Sequence, residues 1–151
     1  MANKAGTHFG QKVRCSDGYT FDSKKEHEFY HRYIKTSKYD FKCHPNFKIK
    51  DMFTVGGTNF RGMSYKPDFV LYGETGGLEH VIDVKNSLTP YGVSNDAKNR
   101  FKLFADRYQI PVEVCVPRSK NFKQMIFGTT TRYDPLIFTT FDYSVFDLIG
   151  R

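Results

Sequence analysis

The segment Val81-Ile82-Asp83-Val84-Lys85 constrains the fold most, because it places two opposite charges inside a run of β-branched residues. In a strand, side chains alternate between the two faces of the sheet. Asp83 and Lys85 therefore leave one face, while Ile82 and Val84 leave the other toward the core. Charges beside a buried strand are costly without a compensating role. The segment predicts a central strand with a functional carboxylate–lysine pair, and an exposed cross-strand salt bridge is the alternative interpretation.

A second carboxylate, Asp68, follows Pro67 and opens the apolar segment 69–71. Two carboxylates can hold Mg²⁺, which prefers oxygen ligands and keeps several waters. A neighbouring ammonium, here that of Lys85, can orient or activate a water that attacks a phosphate. Together with Asp83, these residues predict magnesium-dependent hydrolysis of a phosphodiester. The alternative is that Asp68 only shapes a turn after the proline.

Helical periodicity predicts a first helix from about Lys24 to about Lys35. Ser23 is suited to cap its N-terminus, and Glu26 follows at the spacing of a capping box. Glu26 also shares a helical face with the aromatic residues at 29, 30 and 33. The glutamate is therefore at least a candidate capping partner of Ser23.

The remaining patterns predict an α/β fold with a mixed β-sheet flanked by helices. Alternation predicts strands at 47–53, 63–72, 81–84 and 112–116, with weaker signals for a strand at 137–141 and a short helix at 145–149. A second helix is predicted from about Ser94 to Tyr108. The 151 residues suit one domain, which we divide into an arm at 1–18, a core at 19–116 and a C-terminal extension at 117–151.

Charge is unevenly distributed within the net +7 of the chain. Residues 67–97 are net acidic, and the blocks on either side, 31–66 and 98–132, are strongly basic. Carboxylates for a metal flanked by cations for a phosphate backbone would have this layout, although surface charge can also segregate by chance. Phe122 lies among the cations and could stack on a base. The candidate phosphate contacts, which a solvated basic surface would explain equally well, are Lys98, Lys102, Arg118, Lys120 and Lys123.

The motif Pro67-Asp68 followed by Asp83-Val84-Lys85 resembles the PD-(D/E)XK nuclease superfamily. Local segments look like the corresponding blocks of the phage endonuclease I group, small members that resolve four-way (Holliday) DNA junctions, and of uncharacterised phage-encoded members. The resemblance covers about residues 9–116. This chain has an aspartate at 83 where the phage endonuclease has a glutamate, and the superfamily tolerates either. The matching segments are Phe21–Glu26, Tyr65–Phe69 and Asp83–Lys85.

This resemblance implies a restriction-endonuclease-like core of αβββαβ order and a metal-dependent DNA endonuclease. It adds Glu26 to the catalytic set of Asp68, Asp83 and Lys85. It also implies Mg²⁺, with Mn²⁺ as a substitute, held by the three carboxylates and the backbone carbonyl of Val84. The expected substrate is branched or structured DNA. Because junction resolution needs two symmetric cuts, a homodimer is expected if that substrate is correct.

Residues 27–31 also satisfy the H-E-x-x-H motif of zinc proteases. His27 and His31 lie one helical turn apart and could bind zinc, with Glu28 as the base. The motif fits poorly, because Glu28 points away from the aromatic face of the helix, and only His44 or His80 offers a third histidine. We therefore interpret the two histidines as solvated or packing residues without stoichiometric zinc, and keep a zinc metalloprotease as the minor alternative.

Three cysteines without a CxxC pair indicate neither a disulfide framework nor a four-cysteine zinc site, and they fit a reducing cytoplasm, that of the host if the chain is phage-encoded. No run of about 18 apolar residues is present that could span a membrane. A DNA-binding module on the same fold without catalysis remains the second hypothesis. Clustered carboxylates argue against it, because a pure binder of phosphates has no use for them.

Overall fold

The computed structural model describes residues 12–150, and seven successive strands stand between the first and second helices. The strands are β1 (Val13–Arg14), β2 (Thr20–Phe21), β3 (Asp40–Cys43), β4 (Phe47–Lys50), β5 (Phe53–Val55), β6 (Thr58–Phe60), β7 (Met63–Tyr65), β8 (Phe69–Tyr72), β9 (Leu78–Val84), β10 (Val112–Pro117), β11 (Phe122–Met125) and β12 (Leu136–Phe138). The helices are α1 (Lys24–Phe29), which continues as a π-helical turn (Tyr30–Ile34), α2 (Asn95–Tyr108) and α3 (Phe146–Ile149).

A six-stranded mixed sheet in the order β12-β11-β10-β9-β8-β3 forms the centre of the molecule. Strands β9 and β10 are parallel and are joined through α2, as a parallel pair requires a crossover connection. The other neighbours are antiparallel. The order α1, β3, β8, β9, α2, β10 follows the expected αβββαβ succession, and the predicted mixed α/β fold is confirmed.

Helices α1 and α2 cover opposite faces of this sheet. Val81 and Val114 belong to the cluster that buries the apolar side of α2, including Phe101 and Phe104. On the other face, Ile82 packs in the cluster that contains Phe29, Tyr30 and Tyr33 of the first helix. Residues 81 and 82 thus alternate between two cores, which is why β9 is apolar throughout its middle.

The strands predicted at 47–53 and 63–72 are confirmed in part, but their arrangement differs from that of one continuous sheet. Residues 47–53 do not join the main sheet: β4 pairs with β7, and β5 forms a separate hairpin with β6 through the Gly56-Gly57 turn. The predicted strand 63–72 is two strands, divided at Pro67. The neighbour of β8 is instead β3, which we did not predict because exposed Asp40 and Lys42 alternate in it and give it the polarity of a loop.

The ends of the chain differ partly from expectation. Residues 1–11 of the arm predicted for residues 1–18 lie outside the described residues. Residues 13–21 form the hairpin β1–β2 rather than an arm, because Cys15 and Phe21 are buried against the first helix. The C-terminal extension adds β11 and β12 to the sheet, and α3 lies close to the predicted short helix at 145–149. Within residues 12–150, no helix has the length and apolar character needed to cross a bilayer.

Candidate active site

One cleft of about 380 Å³ contains all four residues predicted to be catalytic, Glu26, Asp68, Asp83 and Lys85. It lies where β9 ends, between the start of α1 and the loop that leads to α2. Glu26 and Lys85 are 59 positions apart in the sequence, and the folded sheet brings all four residues together. The cleft is lined by Asp22, Ser23, Lys25, Glu26, Asp68, Asp83, Val84, Lys85, Asn86, Tyr91 and Gly92.

Both carboxylate oxygens of Asp83 have a partner in the protein. The hydroxyl of Tyr65 donates a 2.6 Å hydrogen bond to Oδ2 in the buried interior. Lys85 Nζ lies 3.2 Å from Oδ1, so the pair leaves one face of β9 as the alternation predicted. Only 6% of Asp83 is exposed. The pair is therefore not a solvated surface salt bridge.

Asp68 stands between β7 and β8, directly after buried Pro67. Its Oδ2 accepts a 2.7 Å hydrogen bond from the backbone N–H of Val84, which ties it to the end of β9. Burial, together with the negative charges of Asp83 and Glu26, raises the pKa of Asp68 well above its usual range. A turn residue free in solvent would not have this environment.

Glu26 combines the two roles considered from the sequence. Its backbone N–H donates to Ser23 Oγ at 3.1 Å, which confirms Ser23 as the N-cap of α1. Its buried carboxylate points into the cleft, where Oε1 lies 2.5 Å from His44 Nε2. This hydrogen bond raises the pKa of His44. Glu26 is therefore more than a capping partner.

His44 and Tyr65 are site residues that the sequence analysis missed. His44 follows β3 with a φ of +55°, a left-handed conformation that is uncommon for a residue other than glycine. Its backbone N–H donates to the carbonyl of Asp68 at 3.0 Å, so it joins the helix carboxylate Glu26 to the sheet. A non-glycine residue held in this conformation beside the cleft is a sign of functional constraint. The only sequence signal was the Pro45 that follows it.

The donor set of the cleft fits Mg²⁺. Glu26, Asp68 and Asp83 supply carboxylate oxygens, the ligand type that this ion prefers, and Val84 lines the same cleft. Burial is the main cause of the raised pKa of Asp68, and the negative charges of Asp83 and Glu26, which Lys85 does not fully offset, add to it. A divalent cation among the three carboxylates would relieve this repulsion.

The predicted phosphate contacts lie outside the cleft. Lys98 Nζ stands over the ring of Phe127 at 5.1 Å, and Lys102 lines a separate pocket beside α3. Arg118 and Lys120 are exposed in the β10–β11 turn, and Lys123 is exposed on β11. Lys25 and Lys85 are instead the lysines that line the cleft.

Phe122, proposed to stack on a base, is fully buried. It packs edge-on against Phe29 and Tyr33, so its ring belongs to the core. Tyr91 is fully exposed at the mouth of the cleft. Gly92 beside it faces the backbone carbonyl of Ser87 so closely that any Cβ there would collide.

The two histidines of the H-E-x-x-H motif are packing residues, one of the two predicted alternatives, and the His27 ring stacks on Phe21 at 5.4 Å between ring centroids. His27 and His31 are half-buried, and they face Cys15 of the hairpin rather than His44 or His80. Glu28 is exposed on the helix. The histidines and the glutamate therefore do not share a cleft, as a zinc protease would require.

A family model described as a protein of unknown function, DUF1064, matches residues 7–124. The chain belongs to this family. The DUF1064 match includes every residue that lines the cleft and ends within β11. Comparison with curated proteins and with solved structures gives no match.

Proposed function

We propose that this DUF1064 protein is a metal-dependent endonuclease of the PD-(D/E)XK type that hydrolyses phosphodiester bonds in DNA. One observation carries the proposal: three separate segments of the chain, which supply Glu26, Asp68 and the pair Asp83 and Lys85, line one cleft. A structural salt bridge explains Lys85 and Asp83 but leaves two further carboxylates facing them at an electrostatic cost.

Mg²⁺, or Mn²⁺ in its place, held by Glu26, Asp68, Asp83 and the carbonyl of Val84, would supply positive charge that stabilises the phosphate during hydrolysis. The protein residues orient this site. Tyr65 fixes one oxygen of Asp83, and the N–H of Val84 fixes one oxygen of Asp68. Such supporting contacts tune metal affinity and activity.

Lys85 is the residue best placed to act on the reacting groups. Its side chain lines the cleft and is 30% exposed, and its Nζ is positioned by Asp83 Oδ1 at 3.2 Å. An ammonium there can orient the attacking water and stabilise the negative charge that accumulates on the phosphate oxygens. A protein that only binds DNA gains nothing from pairing this cation with a carboxylate.

DNA as the substrate is supported by charge and by shape. The chain carries a net charge of +7, and Lys25 adds a second lysine to the cleft. The exposed ring of Tyr91 at the cleft mouth offers a surface on which a base can stack. We propose branched or junction DNA as the structure that is cut, through the resemblance to phage resolving enzymes. The free thiols of Cys15, Cys43 and Cys115 are consistent with action in the cytoplasm.

The deciding experiment incubates the protein with labelled four-way junction, duplex and single-stranded DNA, each with Mg²⁺, Mn²⁺ or EDTA. We expect cleavage of at least the junction with either metal and none with EDTA. Asp83→Asn, prepared identically, excludes a contaminating nuclease. Binding to all three substrates without cleavage by the wild type would instead favour the non-catalytic module.

The oligomeric state tests the junction substrate separately. Two symmetric cuts require two cleavage sites, so a resolving enzyme is expected to be a dimer. Light scattering at the concentration of the cleavage assay measures this directly. If the protein is a monomer and still cuts duplex DNA, the nuclease proposal stands, but junction DNA is excluded as the proposed substrate.

A further inference from the structure

Three side chains of types that can ligate a metal converge beside the first helix, and none of them is the Glu26 or His44 of the cleft. Cys15 comes from the hairpin β1–β2, and His27 and His31 lie one turn apart on the first helix. His27 Nε2 and His31 Nε2 are 3.0 Å apart, and Cys15 Sγ is 3.5 Å from His31 Nε2. All three ligand atoms lie within 4.8 Å of one another.

A single two-centre hydrogen bond does not account for this arrangement. A ring nitrogen of a neutral histidine carries either one proton or one lone pair, so it makes one hydrogen bond in the plane of the ring. His31 Nε2 nevertheless faces a sulfur and a nitrogen at the same time. Lone pairs that converge on one point are instead expected around a bound cation.

We propose that Cys15, His27 and His31 bind one Zn²⁺, in contrast to the sequence-based expectation that the two histidines hold no stoichiometric zinc. A thiolate and two imidazoles are the ligand types that zinc takes. With Zn–N near 2.0–2.1 Å and Zn–S near 2.3 Å, a tetrahedral site places two nitrogens about 3.3 Å apart and a sulfur and a nitrogen about 3.6 Å apart. The two distances in the structure lie close to these values. Three protein ligands leave the fourth tetrahedral position for water.

The surroundings of Cys15 suit a thiolate ligand. The backbone N–H of Asp17 donates to Cys15 Sγ at 3.4 Å, a contact that stabilises negative charge on sulfur. The turn is closed by Gly18 N–H donating to the Cys15 carbonyl at 3.0 Å. Asp17 is itself anchored to the helix, because Tyr30 donates to its carboxylate at 2.9 Å and Lys35 lies 2.8 Å away.

Although an open fourth position is typical of catalytic zinc, the site lacks the base of a zinc protease. Glu28, the base of the protease motif, is exposed and does not belong to the cluster. Zinc would instead fasten the short hairpin β1–β2 to the first helix. His27 directly follows Glu26, so the same ion would also fix the position of the helix carboxylate in the cleft. The zinc site and the proposed magnesium site are thus separate sites that share one helix.

Metal analysis of the full-length protein, purified without added metal and without a metal-affinity column, tests the proposal. We expect about one zinc per chain, and full recovery of that zinc when the chelated protein is titrated with Zn²⁺. Titration with Co²⁺ should give the charge-transfer absorption of a thiolate–cobalt bond. Neither measurement depends on nuclease activity. The zinc proposal can therefore be correct when the nuclease proposal fails, and the nuclease proposal can be correct when the zinc proposal fails.

Variants assign the ligands. Cys15→Ser should abolish the thiolate–cobalt absorption, and His27→Ala with His31→Ala should abolish zinc binding. Cys43→Ser is the matched control, since Cys43 is a half-buried cysteine outside the cluster, and it should keep both. A wild-type protein that binds neither Zn²⁺ nor Co²⁺, or an absorption that Cys43→Ser removes and Cys15→Ser keeps, would overturn the proposal.

Discussion

The hydroxyl of Tyr65 donates a 2.6 Å hydrogen bond to Oδ2 of Asp83, across 18 positions of sequence and in the interior of the protein. Tyr65 ends β7, and the break at Pro67 returns the chain to the sheet as β8 beside β9. The phenol therefore fixes one oxygen of a carboxylate whose other oxygen meets Lys85. Burial and the charge of Asp83 both raise the pKa of Tyr65, so it stays protonated and remains a donor.

Tyr65→Phe should lower cleavage roughly ten- to a hundredfold, the usual effect of losing a contact that orients a metal ligand. The ring remains to pack against Phe101 and Phe104, so the fold is retained. Cleavage rates over a Mg²⁺ titration measure the effect. We expect excess Mg²⁺ to recover part of the rate, which loss of packing alone would not allow. A wild-type metal dependence would contradict the role.

Asp68→Asn should abolish detectable cleavage while DNA binding is kept or becomes tighter. The amide oxygen can still accept the N–H of Val84, but the negative charge beside Asp83 and Glu26 is gone. Because those charges and burial destabilise the ionised form of Asp68, the variant should also unfold at the same or a higher temperature. Fluorescence anisotropy with labelled DNA and a thermal melt measure both. Loss of binding together with cleavage would make Asp68 a structural residue.

The sequence predicts those residues of the candidate site whose position depends on one short segment alone. Asp83 and Lys85 could be assigned because residues 81, 82 and 84 are apolar and fix the strand and its alternation. Ser23 and Glu26 have the spacing of a cap, and that spacing alone locates the start of α1. These predictions depend only on periods of two and of 3.6 residues, which a single segment shows.

The missed features depend on contacts between distant segments. His44 meets Glu26, and Tyr65 meets Asp83, each across 18 positions. Cys15 approaches the histidines only because β1–β2 folds over the helix. The five cations predicted to touch phosphate were chosen by their position beside the apolar face of the second helix or after the last clear strand. Position along the chain does not give the direction of a long side chain, and Lys98 lies over the ring of Phe127 instead.

Tyr91→Ala should weaken DNA binding by about 1–3 kcal/mol, the range for losing one stacked base. Its ring is fully exposed and contributes no core packing, so stability should not change. Tyr91→Phe keeps the stacking surface and should bind as the wild type does. Phe53→Ala, which removes an exposed ring outside the cleft, is the control. Equal losses in both alanine variants would show that Tyr91 has no special contact.

Alkaline pH should destabilise the protein partly through Tyr133. Burial raises its pKa from 10.0 to about 12. Because the folded-state pKa is the higher one, the stabilisation is complete below pH 10 and is lost as pH rises toward 12. Urea unfolding from neutral pH to about pH 11 should show a shallower loss of unfolding free energy for Tyr133→Phe than for the wild type. Identical slopes would mean that Tyr133 titrates equally in the folded and unfolded states.

Substitution of Lys85 distinguishes most directly between an enzyme and a non-catalytic DNA-binding module. The Nζ of Lys85 lies 3.2 Å from Asp83 Oδ1, and its side chain lines the cleft. Removing this ammonium takes away a group that orients the attacking water and stabilises charge on the phosphate, so Lys85→Ala should lose roughly 10²–10⁴-fold in cleavage rate. Lys85→Arg keeps the charge but spreads it over a planar group of different shape, and it should lose nearly as much.

Single-turnover rates with enzyme in excess measure this loss without interference from product release. Binding of DNA should persist in both Lys85 variants, because one cation among many contributes little to a backbone contact of this kind. Lys25→Ala is the matched control, since it removes the other lysine of the cleft and should act mainly on binding. If Lys85→Ala cuts DNA at the wild-type rate, the lysine is only an ion-pair partner of Asp83, and the proposed active site fails at its central residue.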